Sequence, residues 1–277
     1  MKICIVSPHL DDAILSCGIL MQRHKALSDE IVSLNIFTAG INAENRQKED
    51  RRAAEEIGAR PFFLDELDAP DRNPLYRSAI NIFFGSLDDV PEQYIAKIES
   101  IISNFFSTHK IDIAYFPLAA GTHIDHRIAF TAGLRIKNTP VKFYEDRPYI
   151  LWPGILQGRM NQIGSDAVLP QVTERMMRET LHSYHYLSAT EGMYPKECPP
   201  LYISALRQKS AKTMKAKSET LVATEEEVKK LYDCLALYES QMKYIYPDYN
   251  TFIKDNLAYE RENSGKGVYA ERYWTFV

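Results

Sequence analysis

The sequence contains no Cys-x-x-Cys pair, and its four cysteines, Cys4, Cys17, Cys198 and Cys234, lie far apart. A thiolate zinc knuckle and a disulfide framework therefore drop out as the basis of the fold. Cys4 and Cys17 sit in apolar patterns and read as small buried hydrophobes. Basic charge is not in surplus: 33 lysines and arginines stand against 37 aspartates and glutamates, for a net charge of -4. A nucleic-acid partner, which would need a basic face, is not expected. No run is long and apolar enough to span a bilayer, and no internal repeat is present. His9, Asp11 and Asp12 interrupt the first apolar run too early for a secretion signal. These absences lead to the expectation of a soluble cytoplasmic protein acting on a small molecule, with assembly into a homo-oligomer left open.

What is present is enough apolar residue, 45% of 277, to build a substantial core. β-rich runs at 2–7, 30–37, 61–64, 111–116 and 141–144 alternate with helical patterns at 12–27, 45–57, 91–107 and 124–136. That alternation predicts an α/β fold of Rossmann-like type, a mostly parallel sheet flanked by helices. After about residue 150 the alternation fades. Helical patterns return near 172–183, 203–217 and 224–243, so residues 151–277 read as a helix- and loop-rich extension packed on the 1–150 core within a single 1–277 domain. The lysine-rich stretch 208–217 reads as a solvated helix face.

Two polar clusters directly follow predicted strands: Ser7-Pro8-His9-Leu10-Asp11-Asp12, and Gly121-Thr122-His123-Ile124-Asp125-His126-Arg127. Loops after parallel strands gather at the carboxyl edge of the sheet, where ligands bind, so the two can share one pocket. Catalytic zinc takes three nitrogen or oxygen ligands and keeps a fourth position open. His9, Asp12 and His126 supply such a set, and iron(II) suits the same donors. Asp11, beside a ligand, is then placed to take a proton from metal-bound water. His123 is placed to donate to a developing oxyanion or leaving amine, and Asp125 to hold His123 in the right tautomer or charge state. A lone Asp-Asp pair after a strand commonly caps a helix, and a lone histidine is commonly structural. It is the pairing of the clusters that favours a metal site. His24, His109, His182 and His185 have no such setting.

The two clusters resemble the signatures of the PIG-L/LmbE-like zinc deacetylases, a family of N-acetylglucosaminyl and other sugar deacetylases. Pro8-His9-Leu10-Asp11-Asp12-Ala13 is similar to its first motif, and Gly121-Thr122-His123-Ile124-Asp125-His126-Arg127 to its second. Weaker similarity runs through Arg46, Glu49, Ala53 and Ile57-Gly58, through Asp68, through Tyr144-Glu145-Asp146-Arg147-Pro148-Tyr149, and faintly at Tyr238-Glu239-Ser240-Gln241. The resemblance implies His9, Asp12 and His126 as zinc ligands, Asp11 as general base and His123 as stabiliser of the tetrahedral intermediate. Leu10 and Ala13 depart from the pattern, and the Ala13 change bears on a substrate or outer hydrogen bond, not on the metal.

The expectation is hydrolysis of an N-acyl, most simply N-acetyl, group on an amino sugar or sugar conjugate. The alternatives are a zinc amidase for a non-sugar N-acyl metabolite and an inactive metal-containing binding protein. Arg46, Asp68, Arg72, Glu145 and Arg147 are candidates for the polar rim of a sugar pocket, and Tyr144 and Tyr149 for stacking on a sugar.

Overall fold

In the computed structural model, which describes residues 1–165, 167–183, 198–211 and 213–277, strand β1 (Lys2–Ser7) lies at the centre of the chain's only described sheet. Beside it run β2 (Glu30–Asn35) and β3 (Ala59–Phe63) on one side, and β4 (Ile113–Pro117) and β5 (Val141–Tyr144) on the other. All four pairings among these strands are parallel. Their near-continuous apolar sequences follow from burial on both faces. Ile3 and Ile5 pack with Ile14, Ile19 and Leu231 on one face, while Cys4 and Val6 pack with Ile98, Ile102 and Ile128 on the other. Helices Asp12–Ala26, Ala43–Ile57, Glu92–His109 and Ile124–Arg135 form the two outer layers. In Glu92–His109 the stripe Ile95, Ile98, Ile102 and Phe106 faces the sheet, as the periodicity predicts.

The second half contains more than helices and loops. Strands β6 (Ala216–Val222) and β7 (Ala270–Phe276) extend the sheet antiparallel, with β7 against β5 and β6 at the edge, giving the order β3-β2-β1-β4-β5-β7-β6. Both strands are hidden in the sequence for physical reasons. β6 is an exposed edge with the polar composition Ala-Lys-Ser-Glu-Thr-Leu-Val, which suits an edge strand that must not pair further. In β7 the charged Glu271 and Arg272 are both buried, so charge falls where a strand pattern expects apolar residues. The expected helix at 203–217 is instead Cys198–Leu206, followed by loop and β6. His185 and the side chain of His182 lie outside the described residues, as does Lys212 of the lysine-rich stretch.

The strand order reverses between β1 and β4, one neighbour's connection leading to each face. A crevice opens there at the carboxyl ends of the strands, and both polar clusters emerge into it. Among the described residues no helix is long and apolar enough to cross a membrane.

Candidate metal and active site

The loop after β1 is closed by its own side chains. Ser7 Oγ donates to the His9 carbonyl at 2.5 Å and accepts from the Ala13 N–H at 3.0 Å. Asp12 Oδ2 accepts from the His9 N–H at 2.8 Å. Asp11 occupies the N-cap position of the 12–26 helix, yet its side chain makes no capping bond. Ser7 serves the helix end instead, so the Asp11 carboxylate can face the cleft, with Arg46 Nη2 at 3.9 Å.

The loop after β4 is held in a conformation that only surrounding contacts sustain. Thr122, β-branched, has φ 60, and its hydroxyl donates to the Phe83 carbonyl at 2.5 Å. Gly121 has no room for a side chain: a Cβ would lie 2.3 Å from Cγ of Tyr149. The following His123 caps the 124–135 helix, its Nδ1 accepting the Asp125 N–H at 3.2 Å. A ring nitrogen that accepts carries no proton, so the neutral imidazole has its proton on Nε2.

One ligand atom from each of His9, Asp12 and His126 lies within 4.8 Å of the others. Asp12 Oδ2 is 3.2 Å from His9 Nδ1 and 3.3 Å from His126 Nε2. Outer carboxylates orient both rings: Asp146 Oδ1 is 2.8 Å from His126 Nδ1, and Asp68 Oδ1 and Asp125 Oδ2 are each 3.3 Å from His9 Nε2. His126 Nε2 is buried and has no hydrogen-bond partner among the described residues, which fits a cation held at that point. Two imidazoles and one carboxylate suit zinc or iron(II). A second grouping, His9, His123 and Asp125, also lies within 4.8 Å. It is a poorer metal site, because Asp125 already accepts from Arg72 Nη2 at 2.5 Å and from the Ala69 N–H at 3.0 Å, and His123 Nδ1 is engaged.

The electrostatics separate the titratable groups. Burial pushes the Asp11 carboxyl up and the neighbouring Asp12 charge adds to this, while Arg46 opposes it. Burial would raise Asp12 too, but His126 and His9 hold it well below the usual carboxylate range. Burial would lower His126, yet the Asp12 and Asp146 carboxylates carry it up to about 9. Burial and the charges of His9 and His126 hold His123 well below its ordinary value, in keeping with the neutral tautomer its hydrogen bond requires.

A cleft of about 680 Å³ is lined by His9, Asp11, Asp12, Arg46, Asp68 and His123, with Tyr149, Trp152 and Gln241 also on its wall. Arg46 and Asp68 thus line the cleft. Arg72 is not on the lining. It spends its charge on Asp125, and its guanidinium lies 5.1 Å from the Phe37 ring centroid. Asp125 in turn is not bonded to His123 through its carboxylate; the His123 tautomer is set by the Asp125 backbone amide. Glu145 and Arg147 are corrections: both are buried behind the sheet edge. Glu145 accepts from Tyr259 at 2.8 Å and Arg272 at 3.0 Å, and Arg147 donates to Asn256 at 2.8 Å and the Ala270 carbonyl at 2.6 Å. Tyr144 is buried with its hydroxyl on the Val6 carbonyl at 3.0 Å, so it does not stack on a ligand. Sequence reasoning passed over Asp146, Trp152 and Gln241. For Asp146 a signal existed: side chains of an extended segment alternate, so Asp146 points opposite to Glu145 and Arg147. His24 pairs with Asp29 at 2.7 Å and His109 stacks on Phe105 at 4.1 Å, both away from the cleft.

Residues 4–137 match the PIG-L family, described as GlcNAc-PI de-N-acetylase. A 2'-N-acetylparomamine deacetylase of Niallia circulans is 30% identical over 184 residues, covering 52% of this chain and 66% of that relative, just under two thirds. A deacetylase of the teicoplanin biosynthesis pathway, solved as a bog complex, superposes with a TM-score of 0.69 at 19% identity, covering 100% of this chain and 98% of that one. A teicoplanin deacetylase solved in its zinc-inhibited form gives 0.67 at 18% identity, covering 100% and 98%. At such identities the superpositions show the shared fold, including the C-terminal half.

Proposed function

We propose that this chain, whose residues 4–137 match the PIG-L family, hydrolyses an N-acyl, most simply N-acetyl, group on an amino sugar or sugar conjugate, using a divalent metal, zinc or iron(II), held by His9, Asp12 and His126. The observation that carries this reading is the placement of Asp11 and His123. Both stand beside the donor set, in one cleft, without being needed to hold a metal. The Niallia circulans relative, named for removing an acetyl group from an aminoglycoside, supports the substrate class.

When bound, the metal polarises the amide carbonyl and lowers the pKa of a water. The chain's own residues do the rest. Asp11, its proton affinity raised by burial, accepts a proton from the attacking water. His123, neutral with its proton on Nε2, donates a hydrogen bond to the carbonyl oxygen as charge develops there. As the C–N bond breaks, the proton taken by Asp11 passes to the nitrogen. The products are the free amine and the carboxylic acid, which then gives up its proton to water. Arg46, with Nη2 3.9 Å from Asp11, opposes the rise that burial gives that carboxyl.

The test is amine release from a panel of N-acetylated sugars and aminoglycosides, with zinc supplied one per chain and with chelator. Chelator is expected to abolish turnover, and Asp11→Ala to lower kcat by roughly 100-fold or more while zinc stoichiometry is kept. Full activity of Asp11→Ala removes the proposed base. Turnover only of non-sugar N-acyl compounds replaces the substrate class.

A further inference from the structure

Segment 238–241, faintly similar to the family in sequence and far from both clusters, forms part of the cleft wall. Two acidic side chains of the 43–57 helix clasp it. Tyr238 donates to Asp50 Oδ1 at 2.7 Å. Glu49 Oε1 accepts the Ser240 N–H at 3.0 Å and the Asn45 side-chain N–H at 3.3 Å, and Glu49 Oε2 accepts the Ser240 hydroxyl at 2.6 Å. Gln241 Nε2 lies 3.0 Å from Ser240 Oγ, and Gln241 lines the cleft beside Arg46, which belongs to the same helix as Glu49.

The donor and acceptor inventory gives this chain of bonds one direction. Glu49 is met by three donors and acts as acceptor only. The Ser240 hydroxyl proton is therefore committed to Glu49, and Ser240 has only lone pairs left to offer Gln241. An amide oxygen turned toward those lone pairs would repel them, so Gln241 must present its NH2 group to Ser240. Its carbonyl oxygen is then turned the other way, and among the described residues that oxygen has no hydrogen bond. A glutamine on a cleft wall ordinarily turns to suit either donor or acceptor. This one is fixed.

Resting on the deacetylase reading for its substrate class, we propose that Gln241 is a specificity-determining residue whose oriented carbonyl oxygen selects sugars presenting a hydroxyl or ammonium donor near the acylated position. The polarity agrees with the rest of the wall. Asp68 and Asp11 also offer acceptors, and Arg46 is the one arginine or lysine among the described residues of the lining. A wall rich in fixed acceptors favours donor-rich ligands and rejects those lacking the matching donor, because an acceptor covered by the bound ligand is then left unpaired.

The experiment measures binding of methyl N-acetylglucosaminide and its 3-, 4- and 6-deoxy analogues to the zinc-supplemented full chain by calorimetry, with amine release recorded separately. In the wild type, one deoxy analogue is expected to bind roughly 5- to 10-fold more weakly. In Gln241→Leu that penalty disappears for the same analogue. In Ser240→Ala, which leaves the cleft lining intact but frees the amide to turn, the penalty shrinks. Gln241→Glu, which keeps an acceptor, retains it. The same deoxy pattern in wild type and Gln241→Leu overturns the proposal, as does a wild type indifferent to every deoxy substitution. A wild type that discriminates among analogues but releases no amine overturns the hydrolase reading and leaves this one standing.

Discussion

Asp11 and Asp12 are adjacent in sequence and end with opposite proton affinities. Asp12 lies between His9 and His126 and is held ionised, as a metal ligand must be. For Asp11, burial and the neighbouring Asp12 charge outweigh Arg46 at 3.9 Å and the nearby His9, so it takes up protons more readily, as the proposed general base requires. Two carboxylates pushed apart by their surroundings suit the proposed division between ligand and base. Asp146 works one step further out. At 2.8 Å from His126 Nδ1 it fixes which ring nitrogen faces the metal position and makes that nitrogen more basic. Asp146→Asn is expected to weaken zinc affinity by roughly 10- to 100-fold in a competitive chelator titration, with the fold intact by circular dichroism. Unchanged affinity would show that His126 is oriented by its packing alone.

The 12–26 helix is continuous in outline but broken at Cys17, whose φ of -131 and ψ of 17 are not helical. The break leaves backbone N–H groups without partners inside the core. Glu271 from β7 accepts two of them, Ile19 N–H at 2.8 Å and Leu20 N–H at 2.9 Å, and Tyr273 donates to the same carboxylate at 2.5 Å. The second half of the helix therefore has a buried carboxylate at its N-terminus, supplied by a strand about 250 residues away (the bonds span 252 and 251 residues). The first turn, carrying Asp12 and Ala13, is thereby set at its own angle to the cleft. Glu271→Ala leaves three buried donors unpaired and is expected to destabilise the protein by about 2–5 kcal/mol in urea denaturation. A loss below 1 kcal/mol, by the same measurement, would mean that water reaches the break.

At the scale of the whole molecule, the second half completes the site as well as the sheet. β7 joins β5 and supports the 145–147 segment, and 238–241 closes one side of the cleft. The Asp50–Tyr238 bond is one of many polar ties between the halves, and burial pushes the Asp50 carboxyl up to about 7 against the pull of the Tyr238 hydroxyl. An aspartate in the unfolded chain titrates near about 3.9. A carboxyl raised on folding contributes stability below the unfolded value, and that contribution is lost as pH rises through about 7. The advantage of Asp50→Asn over the wild type in urea midpoint is therefore expected to be larger near pH ~8 than near pH ~5. Equal midpoints at both would show that Asp50 stays ionised without penalty.

How far the sequence reached depends on whether the controlling interactions are local. The parallel half was legible because apolar strands, helical stripes and their alternation are properties of neighbouring residues. The two clusters were legible because strand-end loops converge at a switch point whatever the details of packing. The direction of Asp146, the burial of Glu145 and Arg147, the strand at 270–276 and the orientation of Gln241 could not be read in this way. Each depends on a partner brought in from far along the chain: Asp146 meets His126, Glu145 meets Arg272, and Ser240 meets Glu49. By itself the sequence determined the α/β class and brought forward the two polar clusters as candidates for metal-site chemistry. Only the tertiary structure decided which carboxylate serves which histidine and which face of an amide looks into the cleft, because hydrogen bonds act over about 3 Å and their partners are chosen by the fold.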